Sequence, residues 1–240
     1  MPKPILWTPP VSAAAAAALP HRCAELGQRL QHICTRFGTV RLASSLAAED
    51  MVLTDMLAQL GLPVAVFTLN TGLLDAPTLA LLPQIKARYG IDVAEWTPDS
   101  AAGTAFVADY GADAMYQSVG LRRRCCHIRK IEPLNRALQG ADAWLTGQRR
   151  GQAASRGALV LEEYDAERGL AKFNPLFDWE EAEVWAYVHA RNVPVNALYA
   201  QGYPSIGCAP CTRPVRAGED IRAGRWWWES ASGKECGLHK

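Results

Sequence analysis

The chain lacks long apolar runs, an excess of charge of one sign and internal repeats. No apolar stretch approaches the ~18 residues that a membrane-spanning helix needs, so we expect no transmembrane segment. The 25 Lys and Arg residues are balanced by 24 Asp and Glu residues, which gives a formal net charge of +1. The basic excess typical of nucleic-acid-binding proteins is therefore missing. Any anion site must be a local cluster of Arg and Lys.

The N-terminal alanine run, residues 13–18, resembles a signal peptide only weakly. Four prolines interrupt the first ten residues, Lys3 is the one basic residue there, and alanine makes a weak apolar region. We interpret the run as the start of a helix and expect a cytoplasmic protein. Thiols stay reduced in that compartment, so clustered cysteines favour metal binding or catalysis over structural disulfides.

Five of the seven cysteines lie in patterns that indicate chemistry. They form a tandem pair, a C-x-x-C motif and a single thiol near the C-terminus: Cys125, Cys126, Cys208, Cys211 and Cys236. Four thiols can complete the ligand set of one metal centre, and the fifth is placed to act as a nucleophile. His239 could favour its thiolate form, although a stray exposed thiol is the alternative. The other two, Cys23 and Cys34, lie in helical patterns typical of inert thiols.

The tandem pair favours a large metal centre over a small one. Neighbouring residues of a helix point about 100° apart, so two adjacent thiolates bind a single ion only with strain. A [4Fe–4S] cluster accepts them more easily, while zinc or no metal remain alternatives. Lys130 follows Cys126 by four residues on the same helical face, where it could touch both the centre and an anionic substrate. The alternative for Lys130 and the arginines around the pair is a solvated basic helix end.

Strand-like and helical segments alternate along the chain, which predicts an α/β fold with a mostly parallel sheet and helices on both faces. Strands are predicted at 39–42, 63–68, 91–96 and 141–146, with helices at 49–60, 77–89, 100–110 and 128–138 and a β pair formed by 158–163 and 171–173. Asp178 is expected to cap a last helix that runs to about Arg191. Ligands of such sheets bind beyond the carboxyl ends of the strands. The small, polar and cationic residues of 43–48, 69–72 and 147–152 therefore favour an anionic, nucleotide-like ligand, unless they are ordinary loops.

The C-terminal stretch combines two guanidinium groups with a run of tryptophans. Arg222 and Arg225 are expected on one side of a helix, where their paired donors suit phosphate or sulfate. Residues 226–228 are all tryptophan and are expected to anchor the segment by burial.

These motifs together resemble the assimilatory adenylyl-sulfate (APS) reductases, the cluster-bearing branch of the APS/PAPS reductase family. The resemblance runs from about Val40 to the C-terminus. It is carried by Cys125-Cys126, by G-C-A-P-C-T-R-P at 207–214, by G-R-W-W-W at 224–228 and by E-C-G-L-H at 235–239.

The resemblance implies an adenine-nucleotide α-hydrolase-like fold of the PP-loop, Rossmann-like type, with a [4Fe–4S] cluster on Cys125, Cys126, Cys208 and Cys211. It implies that Cys236 attacks the sulfur of APS, that AMP leaves, and that thioredoxin releases sulfite from the resulting S-sulfocysteine. The cluster would be electrostatic and structural, since thioredoxin thiols can supply both electrons by exchange.

The resemblance also assigns substrate-binding residues. These are Ser44, Ser45, Asp50, Thr71, Gly72, Lys130, Gly147, Arg149, Arg156, Arg222, Arg225 and His239. The chain departs from the family pattern at Asn70, where aspartate is usual, and at Ala47, where glycine is often found. The second departure puts the geometry of the first loop in question.

We expect one domain overall, with an N-terminal helical segment (1–36), a nucleotide-binding and iron–sulfur region (37–215) and a mobile catalytic tail (216–240). APS and thioredoxin are the expected partners, nucleic acid and membrane are not, and a homo-oligomer is left open. The alternatives are a PAPS or dual APS/PAPS reductase, an iron–sulfur tRNA-thiolating enzyme and a non-catalytic zinc module. The tRNA enzyme is disfavoured because the first loop lacks an S-G-G-x-D-S pattern and the chain lacks a basic excess.

Overall fold

A computed structural model describes residues 4–229 of the chain and places a six-stranded sheet at its centre. The strands lie in the order β3-β2-β1-β4-β6-β5, and every neighbouring pair is parallel except the β5–β6 hairpin. Their bounds are β1 Val40–Ala43, β2 Ala65–Leu69, β3 Ala94–Trp96, β4 Ala143–Leu145, β5 Glu162–Asp165 and β6 Leu170–Phe173. The predicted mostly parallel α/β fold is confirmed.

Eight α-helices connect and cover these strands within residues 4–229. They are α1 Ala13–Arg36, α2 Ala48–Leu60, α3 Ala76–Leu79, α4 Leu81–Tyr89, α5 Ser100–Tyr110, α6 Val119–Cys126, α7 Glu132–Ala137 and α8 Glu181–Arg191. The alanine run does begin a helix, because the hydroxyl of Ser12 accepts the backbone N–H of Ala15 and so caps α1. Helices α2 and α4 end at Gly61 and Gly90, which take the left-handed conformation that terminates helices. None of these helices is long and apolar enough to cross a bilayer.

The apolar side chains of the strands pack into two hydrophobic cores, one on each face of the sheet. Leu42, Val66 and Leu145 point to one face, where they are buried with apolar residues of α1, α2 and α8. Phe67 and Trp144 each neighbour one of these residues in sequence, so they point to the other face, where α7 covers them. Full burial of such a side chain contributes about 1.5–3 kcal/mol. Helices on both faces leave the carboxyl edge of the parallel strands as the open side.

The last helix begins later than the sequence predicted. Glu180 is its N-cap, and the side chain of Glu183 accepts the backbone N–H of Glu180 at 2.7 Å in a capping box. Asp178, the predicted cap, instead receives both terminal nitrogens of Arg29 on α1, at 2.7 and 2.8 Å. The Asp178 carboxylate thus links α1 to the segment that precedes α8. This contact joins residues 149 positions apart, so the local sequence does not reveal it.

Several other predicted elements differ at their ends. Strand β3 begins at Ala94 rather than at residue 91, and the helix predicted at 128–138 is a π-helical turn, His127–Ile131, followed by α7. The helix predicted at 77–89 is divided at Ala80 into α3 and α4. The first strand of the β pair starts at Glu162 rather than at residue 158, and the turn between the two strands covers residues 166–169.

Candidate functional site

A cavity of about 220 Å³ opens at the carboxyl ends of β1, β2 and β4. The chain leaves β1 for β2 on one side and later returns to β4 on the other, so the crevice lies where the strand order reverses. Open parallel sheets bind ligands at such switch points. The sequence predicted this location.

Ten of the twelve residues predicted to bind substrate line this cavity. They are Ser44, Ser45, Asp50, Thr71, Lys130, Gly147, Arg149, Arg156, Arg222 and Arg225. Gly72 follows Thr71 in the loop but does not line the cavity, and His239 lies outside the described residues, as does Cys236. The fold therefore brings together loops that are more than 170 residues apart, whereas the roles of these side chains stay predictions.

Asp50 joins two of the loops that form the cavity. One carboxylate oxygen accepts the backbone N–H and the hydroxyl of Ser45 at 2.7 and 2.6 Å, and the other accepts the N–H of Gly147 at 3.0 Å. Burial raises the pKa of Asp50 to about 6, and these three hydrogen bonds oppose that rise by favouring the charged form. Asp50 therefore holds the loops after β1 and β4 at a fixed separation.

Gly147 allows the two loops to approach this closely. A Cβ atom at position 147 would lie 2.4 Å from a carboxylate oxygen of Asp50 and 2.9 Å from Cβ of Glu49. We predict that Gly147→Ala lowers the free energy of unfolding by about 1–3 kcal/mol, as overpacking typically does. It should also weaken ligand binding in the cavity, because the start of α2 must move. Thermal unfolding and equilibrium binding measure the two effects.

Gly103→Ala is the matched control for this substitution. Gly103 lies inside α5, and an added Cβ there meets no atom within 4 Å. The control should keep or slightly raise stability, because alanine favours helices over glycine. If Gly147→Ala behaved like Gly103→Ala, the close approach of the loops would have no role.

The loop after β1 adopts a special conformation at Leu46 rather than at Ala47. Leu46 has a φ of +61°, a left-handed value rare for a non-glycine residue, while Ala47 has an ordinary φ of −77°. Alanine at position 47 therefore needs no glycine-like freedom. Because Ala47 has no capping side chain, the hydroxyl of Tyr199 accepts the N–H of Ala48 at 2.9 Å. The first residues of α2 line the cavity, where the positive end of a helix favours anions.

The loop after β2 shows why asparagine suits position 70. The side-chain oxygen of Asn70 accepts the N–H of Gly72 at 3.1 Å, a turn that aspartate could also form. Its amide nitrogen donates to the carboxylate of Glu95 on β3 at 2.7 Å. An aspartate here would place a second negative charge next to Glu95. Asparagine at position 70, where the family usually has aspartate, is therefore suited to the presence of Glu95.

The cationic side of the cavity is formed by arginines that other groups hold in place. Arg149 donates to the carboxylate of Glu49 at 2.7 and 2.9 Å. Arg225 donates to the carbonyl of Ile206 at 3.0 Å and lies 4.7 Å from the ring centroid of Trp226. A Cβ atom on Gly207 would meet the Arg225 guanidinium at 2.4 Å, so glycine is needed beside it. These constraints keep the donors near the cavity.

The predicted helix that carries Arg222 and Arg225 is a turn instead. Residues 221–224 form turns, closed by the N–H of Arg225 donating to the carbonyl of Arg222 at 2.9 Å. Both guanidinium groups still lie against the ring of Trp226, and both line the cavity. Trp226, which is buried as expected, therefore brings the two cations together. The burial expected of all three tryptophans is wrong for Trp227, which is exposed.

A second, smaller cavity is lined by the four clustered cysteines Cys125, Cys126, Cys208 and Cys211. Each is only 6–8% exposed. The first pair ends α6, and the helix continues as a π-helical turn, His127–Ile131, before α7. Such turns often occur at functional sites. Two hydrogen bonds hold residues 208–211 in place. The N–H of Ala209 donates to the carbonyl of Leu73 at 2.7 Å, and the hydroxyl of Tyr116 donates to the carbonyl of Pro210 at 2.6 Å.

Burial and the neighbouring thiols disfavour the charged form of two of these thiols, Cys125 and Cys211. Burial raises the pKa of Cys125, and Arg129 and Lys130 partly oppose this. Burial, together with Cys208 and Cys126, raises the pKa of Cys211 to about 12. Four buried sulfur donors beside several cations match an iron–sulfur centre in chemistry, since a bound metal would stabilise the thiolates. The thiols share one cavity but are not arranged as a ligand set, because among residues 4–229 no three or more His, Cys, Asp or Glu side chains are grouped so that they could hold a metal ion.

The two cavities adjoin, and three side chains connect them. Lys130 and Trp226 line both cavities. Thr71 lines the larger one, and its hydroxyl lies 3.3 Å from the sulfur of Cys208. Lys130 therefore occupies the position between thiols and ligand cavity that the sequence predicted, although it reaches that position from the π-helical turn.

Sequence reasoning missed several residues of the larger cavity. Glu181 and Trp185 of α8 line it, as do Tyr199, Ser205 and Ile206. No motif marks them in the sequence. Burial raises the pKa of Glu181, while Arg149 opposes this effect.

Comparisons with known proteins agree with this geometry. A family model described as the phosphoadenosine phosphosulfate reductase domain matches residues 39–214. An adenosine 5′-phosphosulfate reductase of Neisseria meningitidis is 55% identical over 240 residues, covering 99% of this chain and 98% of that protein.

Two solved structures show a similar fold. A phosphoadenylyl-sulfate (PAPS) reductase from Candida auris, solved as a phosphate complex, matches with a TM-score of 0.67 and 25% identity, covering 85% of this chain and 98% of that one. A yeast FAD synthetase in complex with FAD matches with a TM-score of 0.60 and 14% identity over 85% and 70% of the two chains, a likeness of fold alone.

Proposed function

Because this chain belongs to the family of adenosine 5′-phosphosulfate reductases, we propose that it reduces adenylyl sulfate to sulfite and AMP, with thioredoxin as reductant and Cys236 as nucleophile. One observation carries the proposal. Cations from separate segments, Lys130, Arg222 and Arg225 among them, meet at a cavity that adjoins four buried thiols. Such a cavity suits a nucleotide whose phosphosulfate points toward the thiol side.

The chemistry begins with the Cys236 thiolate attacking the sulfur of adenylyl sulfate. A sulfur–sulfur bond forms, the bond from sulfur to the bridging oxygen breaks, and AMP leaves with the electron pair on its phosphate. The arginines and Lys130 are placed to stabilise the negative charge that develops on the departing phosphate. One thiol of reduced thioredoxin then attacks Cys236, sulfite leaves, and the second thiol closes the thioredoxin disulfide, so both electrons come from thioredoxin.

Cys236 can reach this cavity from the last described residue. It lies seven positions after Glu229, and an extended chain of that length spans up to about 25 Å. Trp226, three residues before Glu229, already lines both cavities. The tail thus begins beside the place where its thiol is needed.

Cys125, Cys126, Cys208 and Cys211 would hold a [4Fe–4S] cluster in the smaller cavity. When bound, such a cluster supplies a fixed charge that orders the neighbouring cations. Lys130 and Arg129 balance that charge, and Lys130 also faces the ligand cavity. We propose a cytoplasmic location, because reduced thiols and thioredoxin suit that compartment.

Sulfite release from APS and from PAPS, each with reduced thioredoxin, tests the proposal. We expect turnover with APS and at most slow turnover with PAPS. Equal or greater turnover with PAPS would favour the PAPS or dual reductase, and no turnover with either would contradict the proposed function.

Lys130→Ala is expected to reduce turnover far more than stability. Loss of one group that stabilises transition-state charge typically lowers kcat by about 10²-fold or more. Loss of a partly exposed lysine should change the free energy of unfolding by no more than about 1 kcal/mol. Kinetics and thermal unfolding separate these effects, and Lys86→Ala, which removes an exposed lysine paired with Asp92, is the control. Parallel loss of stability and turnover would make Lys130 a structural residue.

A further inference from the structure

A buried ion pair joins the end of the described chain to the helix that carries the cysteine pair. Nε of Arg122 on α6 lies 2.5 Å from one carboxylate oxygen of Glu229, and its Nη2 lies 2.9 Å from the other. The two side chains are 0% and 5% exposed. This is a bidentate pair of good geometry, removed from water.

Stability alone is a weak reason for such a pair. The free-energy cost of removing two charges from water offsets much of the stabilisation from their attraction. Apolar residues can therefore often replace a buried ion pair without loss of stability. A bidentate pair does, however, fix the relative position of its partners. The position that is fixed here is that of the chain just before Ser230.

Three parts of the site meet at the single guanidinium of Arg122. Besides Glu229, it lies 4.5 Å from the ring centroid of Trp226, and it belongs to the helix that ends in Cys125 and Cys126. It also lines the smaller cavity. Arg122 thus connects the thiol cavity, the tryptophan between the cavities and the residue from which the tail departs.

The backbone supports the same arrangement. Trp226 has a φ of +40°, and the N–H of Glu229 donates to the carbonyl of Trp226 at 2.9 Å, which closes a tight turn. The turn directs the Glu229 carboxylate inward to Arg122. The tail that carries Cys236 therefore starts from a fixed point beside the thiol cavity.

We propose that the Arg122–Glu229 pair is a positioning device that sets the starting point of the catalytic tail. It rests on the proposed role of Cys236. A thiol on a short tether acts at an effective concentration set by the length and the origin of that tether. A displaced origin lowers the rate of sulfur transfer, while the binding of adenylyl sulfate and the cysteine centre are unaffected. Arg122 and Glu229 act through Cys236 and touch no substrate.

Glu229→Gln tests the proposal in the full-length, cluster-loaded protein. The substitution keeps the size of the side chain and removes its charge. In a single turnover with radiolabelled adenylyl sulfate and no reductant, we expect label to appear on the protein about 10- to 100-fold more slowly than in the wild type, as small misplacements of reacting groups cause. Visible absorption and KM should be unchanged. Glu229→Asp, which keeps the charge, should recover part of the rate.

Asp165→Asn is the matched control. Asp165 forms another buried pair, with Arg168 at 2.8 Å and with exposures of 2% and 6%, in the β5–β6 hairpin. It should leave the labelling rate unchanged.

Three outcomes would overturn the positioning role. They are labelling of Glu229→Gln at the wild-type rate, loss of its visible absorption together with the rate, and equal slowing by Asp165→Asn. Failure of the wild type itself to take up label would instead contradict the proposed function, so the two failures are distinguishable.

Discussion

Replacement of Cys236 by serine is expected to abolish sulfite release and to leave the visible absorption of the protein unchanged. The serine hydroxyl cannot form the sulfur–sulfur bond, and removal of a nucleophile commonly costs on the order of 10⁴-fold or more in rate. Four other thiols, Cys125, Cys126, Cys208 and Cys211, line the smaller cavity and are unchanged in this variant, so the metal centre should be intact. A coupled assay for sulfite and an absorption spectrum measure both properties in one preparation.

Cys34→Ser is the control for this substitution. Cys34 lies half-buried on α1, where burial raises its pKa and makes it a poor nucleophile. Its replacement should leave sulfite release near the wild-type rate. Substantial residual turnover in Cys236→Ser would remove Cys236 as the nucleophile, whatever the control showed.

Cys208→Ser is expected to lose the metal centre and the activity together. Cys208 is buried in the smaller cavity beside the Thr71 hydroxyl, and serine is a poor ligand for iron. The purified variant should lack the brown colour and the acid-labile iron and sulfide of the wild type. Its loss of turnover should be as complete as that of Cys236→Ser, which keeps its colour. The pair of variants thus separates the metal centre from the nucleophile.

Metal analysis of the wild type also decides between the alternatives for this site. About four iron and four sulfide per chain would match a [4Fe–4S] cluster. One zinc per chain in a colourless, inactive protein would match the zinc module instead. A Cys208→Ser protein with full turnover would contradict the need for any metal centre.

The architecture could be predicted because its signals are local and repeated. Residues 63–68 form a continuous apolar run typical of a strand covered on both faces, and β2 lies at Ala65–Leu69. Helix α5 begins and ends at the predicted residues, 100 and 110, because Asp99 caps it and Gly111 follows it. Such signals lie within a few residues of the element that they define.

The errors arose where a distant contact decides the local structure. Asp178 has the residue type of a helix cap, but Arg29 on α1 engages it from 149 positions away. Glu181 and Tyr199 line the cavity only because α8 and the segment after it pack against the start of α2. The Arg122–Glu229 pair spans 107 positions and belongs to no motif. Periodicity and short motifs carry no information about contacts of this kind.

Radiolabelled adenylyl sulfate, added to the full-length protein without reductant, tests most directly whether a thiol near residue 236 accepts the sulfonyl group. After digestion, we predict that ³⁵S is found on the peptide that contains Cys236, at up to one label per chain, and that reduced thioredoxin releases it as sulfite. An unlabelled C-terminal peptide, or label on Cys208 or another cysteine in its place, would contradict the mechanism.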